Sequence, residues 1–264
     1  AGLILDIAVN STGWAAGLHE THPRWLVRDV AGEIRSPGAW GVVWRDLASL
    51  DYTCRDLWRY IASVFLTWCR RGVDGFRCDA GYMIPLPAWT YIIARVREEF
   101  PDAVFLLEGL GGSIAVTRDL LNRANFNWAY SELFQNDDRE QISRYLPETF
   151  DISEQDGLAV HYAETHDNNR LAAVSTNYAI MRTALCALLS PCGGFGFANG
   201  VEWFATEKIR VHDACSLNWG AKNNQVDRIR RLNRLLTHHP AFFDQARLQV
   251  LDHGEGNYLV VLRR

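Results

Sequence analysis

The chain has 264 residues, 48% of them hydrophobic and 22% charged, enough for one large core or two modest ones. Lys and Arg number 27 against 31 Asp and Glu, so the formal charge of −4 forces no basic face toward nucleic acid or anionic lipid. The longest uncharged stretch, Thr183 to Val201, contains Pro191 and several glycines and is excluded as a membrane span, while six scattered cysteines without CxxC pairs exclude a disulfide scaffold and favour a reduced, cytoplasmic setting.

The chain opens Ala1-Gly2-Leu3-Ile4-Leu5 without an initiating Met or a signal-peptide pattern, as if inside a strand. We therefore expect a longer polypeptide whose remainder is this segment's first partner. Leu3 to Val9 is near-continuously apolar, which predicts a strand buried on both faces of a parallel sheet. Residues 11–50, rich in Trp, Gly and turn formers, read as an excursion. Over 55–71, Leu57, Tyr60, Ile61, Val64, Phe65 and Trp68 fall at helical spacing, with Gly72 as the cap. Val73 to Asp79 is a strand ending in charge.

The cycle then repeats. Pro87 starts a helix with Trp89, Ile92, Ile93, Val96 and Phe100 on one stripe, and Ala103 to Glu108 is the next strand. A helix follows near 113–124, a weaker strand at 126–134 and a polar helix at 138–146. Leu158 to Glu164 is a clear strand, succeeded by a long helix over 170–190, a short strand in Gly193 to Ala198 and a charged helix near 224–237. Leu248–Leu251 and Tyr258–Leu262 flank Asp252 to Asn257 as a β-hairpin. Strand and helix alternating at roughly 30 residues per unit indicate an α/β fold with parallel strands. Six such units are present, whereas a closed (β/α)8 barrel needs eight.

Asp6, Asp79, Glu108 and Asp167 each sit at or near the C-terminal end of an apolar strand. One such carboxylate is commonly a helix cap, but four on separate strands of a barrel would gather around one axis at its catalytic end. Arg77 and Asp79 are two apart on a strand and share a face, so the guanidinium would keep Asp79 ionised, as a nucleophile needs. Glu108 follows Phe105-Leu106-Leu107, an apolar surround that would suit a general acid. His166 beside Asp167 adds a donor for substrate hydroxyls. Nucleophile, acid/base and a third carboxylate are what retaining glycosidases require.

Four segments, in order, resemble the four signature regions of the α-amylase family of glycoside hydrolases: Leu5 to Asn10, Gly75 to Ala80, Leu106 to Gly109 and Glu164 to Asn168. Ser49 to Tyr52 resembles the stretch closing that family's B domain, and Gly196 to Glu202 its eighth strand and loop. The resemblance implies a (β/α)8 TIM-type barrel, with strands three to eight represented over 1–246, a B-domain-like excursion at 11–50, and the opening of a C-terminal β-sandwich domain at 247–264. It implies Asp79 as nucleophile, Glu108 as acid/base and Asp167 as the residue stabilising the transition state. Arg77 would orient Asp79, His166 would contact the sugar, and Asp6 would support the nucleophile's surroundings. Tyr82 joins the substrate-binding candidates.

The implied substrate is an α-1,4-glucan or maltooligosaccharide, hydrolysed through a glycosyl-aspartate, with glycosyl transfer as the alternative outcome. No cofactor is required. A structural calcium, with Asn10 as candidate ligand, is the less favoured expectation. Ser11 stands where the family usually has a sugar-contacting His, and Gly109, Gly111 and Gly112 make the stretch after Glu108 unusually glycine-rich.

Other residues have simpler readings. Tyr82, Trp128, Tyr130 and Trp219 lie near strand ends, where rings could stack on sugars, but packing explains each. His238-His239 suits a helix C-terminus. Arg228 to Arg234 reads as a solvated helix face, and alternation turns Cys78 toward the helices. Two other classes compete. A magnesium-dependent lyase or racemase barrel would lack its strand-end Lys base, and Arg77 already neutralises Asp79. A barrel kept as a non-catalytic module would have no use for three retained carboxylates. Six strands leave an open parallel edge, so this segment alone is expected not to fold stably.

Overall fold

The computed structural model describes residues 2–110, 112–210, 217–243, 246–251, 256 and 258–263. Chain contacts divide it into two units, 1–129 and 130–264. In the first, β1 (Ile4–Ala8) pairs in parallel with β6 (Gly75–Asp79), β6 with β7 (Val104–Leu107), and β7 with β8 (Trp128–Tyr130). In the second, β9 (Leu158–Tyr162) pairs in parallel with β10 (Phe195–Gly196). Within the first unit the strand order β1-β6-β7-β8 follows the chain and never reverses. A doubly wound sheet reverses at its switch point, so the sequential order is that of successive strands in a (β/α) barrel.

Between β1 and β6 lies the excursion. β2 (Ser11–Gly13) pairs antiparallel with β5 (Leu47–Ser49), enclosing the short helix α1 (Leu18–Thr21) and a hairpin of β3 (Gly38–Ala39) and β4 (Val42–Val43). Trp40 and Gly41 turn that hairpin with φ of 58° and 77°, the left-handed pair that two-residue hairpins favour. The helix α2 (Arg55–Arg70) ends as its sequence requires: Gly72 adopts φ 94°, its N–H bonds Cys69 O at 2.9 Å, and Val73 N–H bonds Trp68 O at 3.1 Å. α3 (Leu86–Glu99) and α4 (Ile114–Ala124), the latter capped by Ser113, complete the unit. Its core is aromatic. Phe65 of α2 meets Phe76 of β6 edge-on at 4.7 Å, and Trp89 of α3 meets Phe126 at 4.9 Å.

Two expectations about burial need correction here. β1 is not buried on both faces, for Leu3 and Ile4 are exposed and β6 is its one neighbour among the described residues. On α2 the buried stripe runs through Leu57, Ile61, Phe65 and Cys69, and Tyr60 lies outside it, packing on Trp25 of the excursion at 5.2 Å.

In the second unit α5 (Arg139–Gln155) begins with a capping box between Asp138 and Gln141 and runs well past the expected end. Pro147 sits inside it. The lost hydrogen bond and steric cost are offset because the second half buries Thr149 and Ile152, and Ser153 Oγ accepts from Ala159 N–H at 3.1 Å as β9 begins. The long helix expected over 170–190 is two, α6 (Leu171–Val174) and α7 (Thr176–Leu188). Ser175 is extended between them and caps the second by accepting from Tyr178 N–H, a competing bond that interrupts the first. α8 (Val226–His238) follows. The core gathers Leu133, Ile142, Leu146, Ala163, Cys186 and Leu189. β11 (Leu248–Leu251) and β12 (Val260–Arg263) form the expected antiparallel pair. Its turn residues Asp252, His253, Gly254, Glu255 and Asn257 lie outside the described residues, as do Gly111 and Cys215.

Candidate active site

β6 is built to hold charge on one face only. Phe76 and Cys78 are fully buried toward the helices, while Arg77 and Asp79 project from the other face. Gly75 lets β7 approach, since a Cβ there would stand 2.6 Å from Val104 O. The register puts Asp6 beside Arg77. Arg77 Nη1 donates to both Asp6 oxygens at 2.9 and 3.1 Å and to Asp79 Oδ1, while Nη2 lies 3.0 Å from Glu108 Oε1. One guanidinium thus joins carboxylates from three successive strands of the sheet. The positive charge they share is Arg77's own, which disfavours the magnesium reading on donor chemistry.

Glu108 has a different setting from the apolar one expected. Its Oε2 accepts from Ala80 N–H at 2.7 Å and its Oε1 faces Arg77, so the carboxylate lies among donors. The apolar Phe105 and Leu107 beside it in sequence are buried on the strand itself. Ala80 reaches Glu108 from a left-handed conformation, φ 44° and ψ 37°. Tyr82 stands next to both carboxylates. Burial pushes its phenol above the usual value, with Glu108 and Asp79 acting in the same direction. Gly112 gives Tyr82 room, because a Cβ there would stand 2.9 Å from the tyrosine Cβ.

Asn10 is buried, and its amide Nδ2 donates to Met83 Sδ at 3.3 Å while Oδ1 accepts from Ser11 Oγ at 3.1 Å. Ser11 therefore turns its hydroxyl to its neighbour. The cavity beside Asn10, about 310 Å³, is lined by Arg35, Ser36, Ser49, Tyr52 and Met83 among others and by no carboxylate. Neutral hydroxyl and amide oxygens beside the Arg35 cation, with no carboxylate among them, do not make the anionic oxygen cage calcium takes, so these surroundings do not fit that ion.

The second unit carries the fourth motif. His166 Nε2 lies 3.3 Å from Asp167 Oδ2, and both side chains reach solvent. Asn168 Oδ1 accepts from Thr165 Oγ1 at 2.7 Å, fixing the turn that presents them. The structure thus brings Asp6, Arg77, Asp79, Glu108 and Tyr82 together in one unit, and His166 with Asp167 in the other. Sequence reasoning placed Glu164 in the fourth motif without a role and passed over Arg170, and the two pair at 2.6 Å in full burial. Burial holds the Glu164 carboxyl above its usual range, against the lowering effect of Arg170. It also passed over the Ala80 amide, which as a backbone group leaves no mark in a sequence.

Among the aromatics, Tyr130 packs on Tyr162 at 4.4 Å as expected. Trp219 does not fit the packing reading: it is exposed, leaning on Trp203 at 5.5 Å from a turn that Asn218 sets with φ 55°. His238 ends α8 with Nδ1 2.9 Å from Arg234 O, and the arginines of that helix lie around buried Ile229 and Leu236. Among the described residues no helix is long and apolar enough to cross a membrane.

No protein-family model matches the chain. It is 28% identical over 255 residues to the alpha-1,4-glucan:maltose-1-phosphate maltosyltransferase of Burkholderia pseudomallei (strain K96243), covering 90% of this chain and 22% of that protein. To the enzyme of the same name from Rhodospirillum rubrum it is 26% identical over 278 residues, covering 95% and 39%. The chain therefore spans well under half the length of these relatives. Among solved structures, an alpha-amylase from Lactobacillus plantarum matches with a TM-score of 0.79 at 22% identity, over 96% of this chain and 63% of that one. A Thermus thermophilus protein, Ttha1563, matches with a TM-score of 0.78 at 21% identity, over 100% and 64%. In sequence the chain is similar to these maltosyltransferases, and in fold to solved alpha-amylases, the family that its four motif segments resemble.

Proposed function

We propose that the chain belongs to an enzyme that acts on α-glucosidic bonds of α-glucan or maltooligosaccharide with retention of configuration, through a covalent glycosyl-Asp79. The observation that carries this reading is the guanidinium of Arg77, which touches Asp79 and lies 3.0 Å from Glu108. Two carboxylates on one guanidinium are close neighbours, and retaining enzymes need a separation of about 5–5.5 Å. In the first step an Asp79 oxygen attacks the anomeric carbon, the glycosidic C–O bond breaks, and Glu108 gives its proton to the departing oxygen. In the second, an acceptor hydroxyl attacks the same carbon, Glu108 takes its proton, and Asp79 leaves as carboxylate. Asp167 and His166 bind the reacting sugar's hydroxyls, Asp6 shares Arg77 with the nucleophile, and Tyr82 walls the site. No cofactor enters this sequence.

The two outcomes differ only in the acceptor. Similarity to maltosyltransferases supports a sugar hydroxyl in that role, and hydrolysis by water is the second reading. The test is peptide mass spectrometry of the intact protein after exposure to a fluorinated α-glucosyl fluoride, which slows the second step. A stable adduct on the Asp79 peptide, absent from Asp79→Asn, is the expected result. A folded protein that takes up no label would count against catalysis and for a barrel retained as a binding module. Chain extension of added maltose, against release of glucose or maltose alone, separates transfer from hydrolysis.

A further inference from the structure

The rungs between β6 and β7 follow a regular parallel pattern, up to Glu108 N–H on Cys78 O at 3.2 Å. By that pattern the next rung joins Ala80 N–H to the Glu108 main-chain carbonyl. Instead that N–H donates to the Glu108 side chain, Oε2, at 2.7 Å. The substitution of side chain for main chain comes with a turn of the backbone at Ala80, φ 44° and ψ 37°. That left-handed conformation is unfavourable for a residue with a Cβ. The turn is held in place from the far side. A Cβ on Gly81 would stand 2.6 Å from Leu107 Cδ1, and Gly81 O accepts from Trp89 Nε1 at 2.8 Å.

We propose that the Asp79–Ala80 peptide is a positioning group for Glu108: its N–H replaces a sheet rung in order to hold the acid/base beside the nucleophile. The inference rests on the reading of Glu108 as acid/base. A peptide N–H aimed at a carboxylate oxygen favours the charged form, so this donor eases release of the proton to the departing sugar oxygen. The donor belongs to the peptide plane that begins at Asp79 Cα, so the acid/base is tied to the backbone that carries the nucleophile. Ala80 brings no side-chain group that could react. It acts through Glu108.

The direct test replaces the 79–80 amide by an ester, using the α-hydroxy analogue of alanine at residue 80 in the intact protein, which removes the N–H and keeps the methyl. The upper limb of the kcat/KM pH profile should move up by about one unit. Activity on maltooligosaccharide should fall about 10–100-fold, while α-glucosyl fluoride, whose leaving group needs little protonation, should lose less than about threefold. An unmoved upper limb overturns the proposal and leaves Glu108 as acid/base. Glu108→Ala reports on that underlying reading: equal activity loss on both substrates overturns it and the proposal with it. Amide hydrogen exchange gives a measurement that does not depend on the ester folding. The Ala80 N–H should exchange about tenfold or more faster in Glu108→Ala than in the unmodified protein. Equal exchange in the two would show that the carboxylate does not hold it, which also overturns the proposal.

Discussion

In the first unit Arg77 draws in Asp6, Asp79 and Glu108, and in the second Arg170 takes Glu164. Both guanidiniums are buried, at 6% and 1% side-chain exposure. Their carboxylates differ. Glu164 is 3% exposed, accepts a further bond from Leu171 N–H at 2.6 Å, and its arginine gives other N–H groups to the carbonyls of Asn199 and Glu207. Asp6, Asp79 and Glu108 keep 57%, 36% and 13% of their side-chain surface. A pair satisfied on every side joins a loop to a strand end and has no capacity left for a ligand. A cluster in which Asp6 and Asp79 reach solvent leaves carboxylate oxygens open to a ligand. On the proposed reading, solvent access separates the structural arginine, Arg170, from the one at the active site, Arg77, where the residue types alone do not.

Matched substitutions test that contrast most severely. Arg77→Met should cut turnover about 10³-fold or more and shift unfolding by only about 1 kcal/mol, because Asp6 and Asp79 already reach solvent and Glu108 keeps the Ala80 N–H. Arg170→Met should do the reverse, costing about 3–5 kcal/mol of stability by stranding the buried Glu164 carboxylate. Turnover on glucan and denaturant unfolding of both variants give the answer, and a large stability loss in Arg77→Met would erase the distinction.

A smaller effect comes from His161 of the second unit. It is fully buried with Nδ1 2.6 Å from Ser131 Oγ, and burial pushes its imidazole down to about 3. Between pH 6.5 and about 3 the unfolded chain then binds a proton that the folded one refuses. Stability is therefore complete above pH 6.5 and falls as the pH drops, by roughly 1.4 kcal/mol per unit at most. His161→Gln should flatten that slope. Thermal midpoints at pH 7 and pH 5 for both proteins measure it. The smallest expected change is Gly72→Ala, about 1 kcal/mol, since only the φ of 94° at the end of α2 is strained. A neutral result would mean that the cap, plain from sequence, contributes little to the first unit.

Much of the fold was legible because the helices of the first unit bury regular stripes. Trp89, Ile92, Ile93 and Val96 fix α3 by spacing alone, and Gly72 ends α2 where a left-handed residue is needed. The second unit was harder to read. Pro147 suggests a terminus, yet burial of Ile152 outweighs it, and Ser175 interrupts a run whose periodicity looks unbroken. The motifs located Asp79, Glu108, His166 and Asp167, but not what surrounds them. The apolar residues before Glu108 say nothing of Arg77 and Ala80, which reach it from another strand. Arg170 escaped notice because its partner lies six positions back across a turn, outside any strand or helix period.

The rung formed by Glu108 bears on how such a chain can drift once selection for turnover relaxes. Asp79 takes part in no main-chain hydrogen bonding between β6 and β7 beyond what any residue supplies, so its side chain could change with little consequence for the sheet. Glu108 closes the last rung with its carboxylate, and losing it would leave the Ala80 N–H without that acceptor where the chain turns. A lineage abandoning the proposed catalysis would lose Asp79 early and Glu108 late. In a descendant of this chain, a surviving glutamate at that position would then testify to folding rather than to activity.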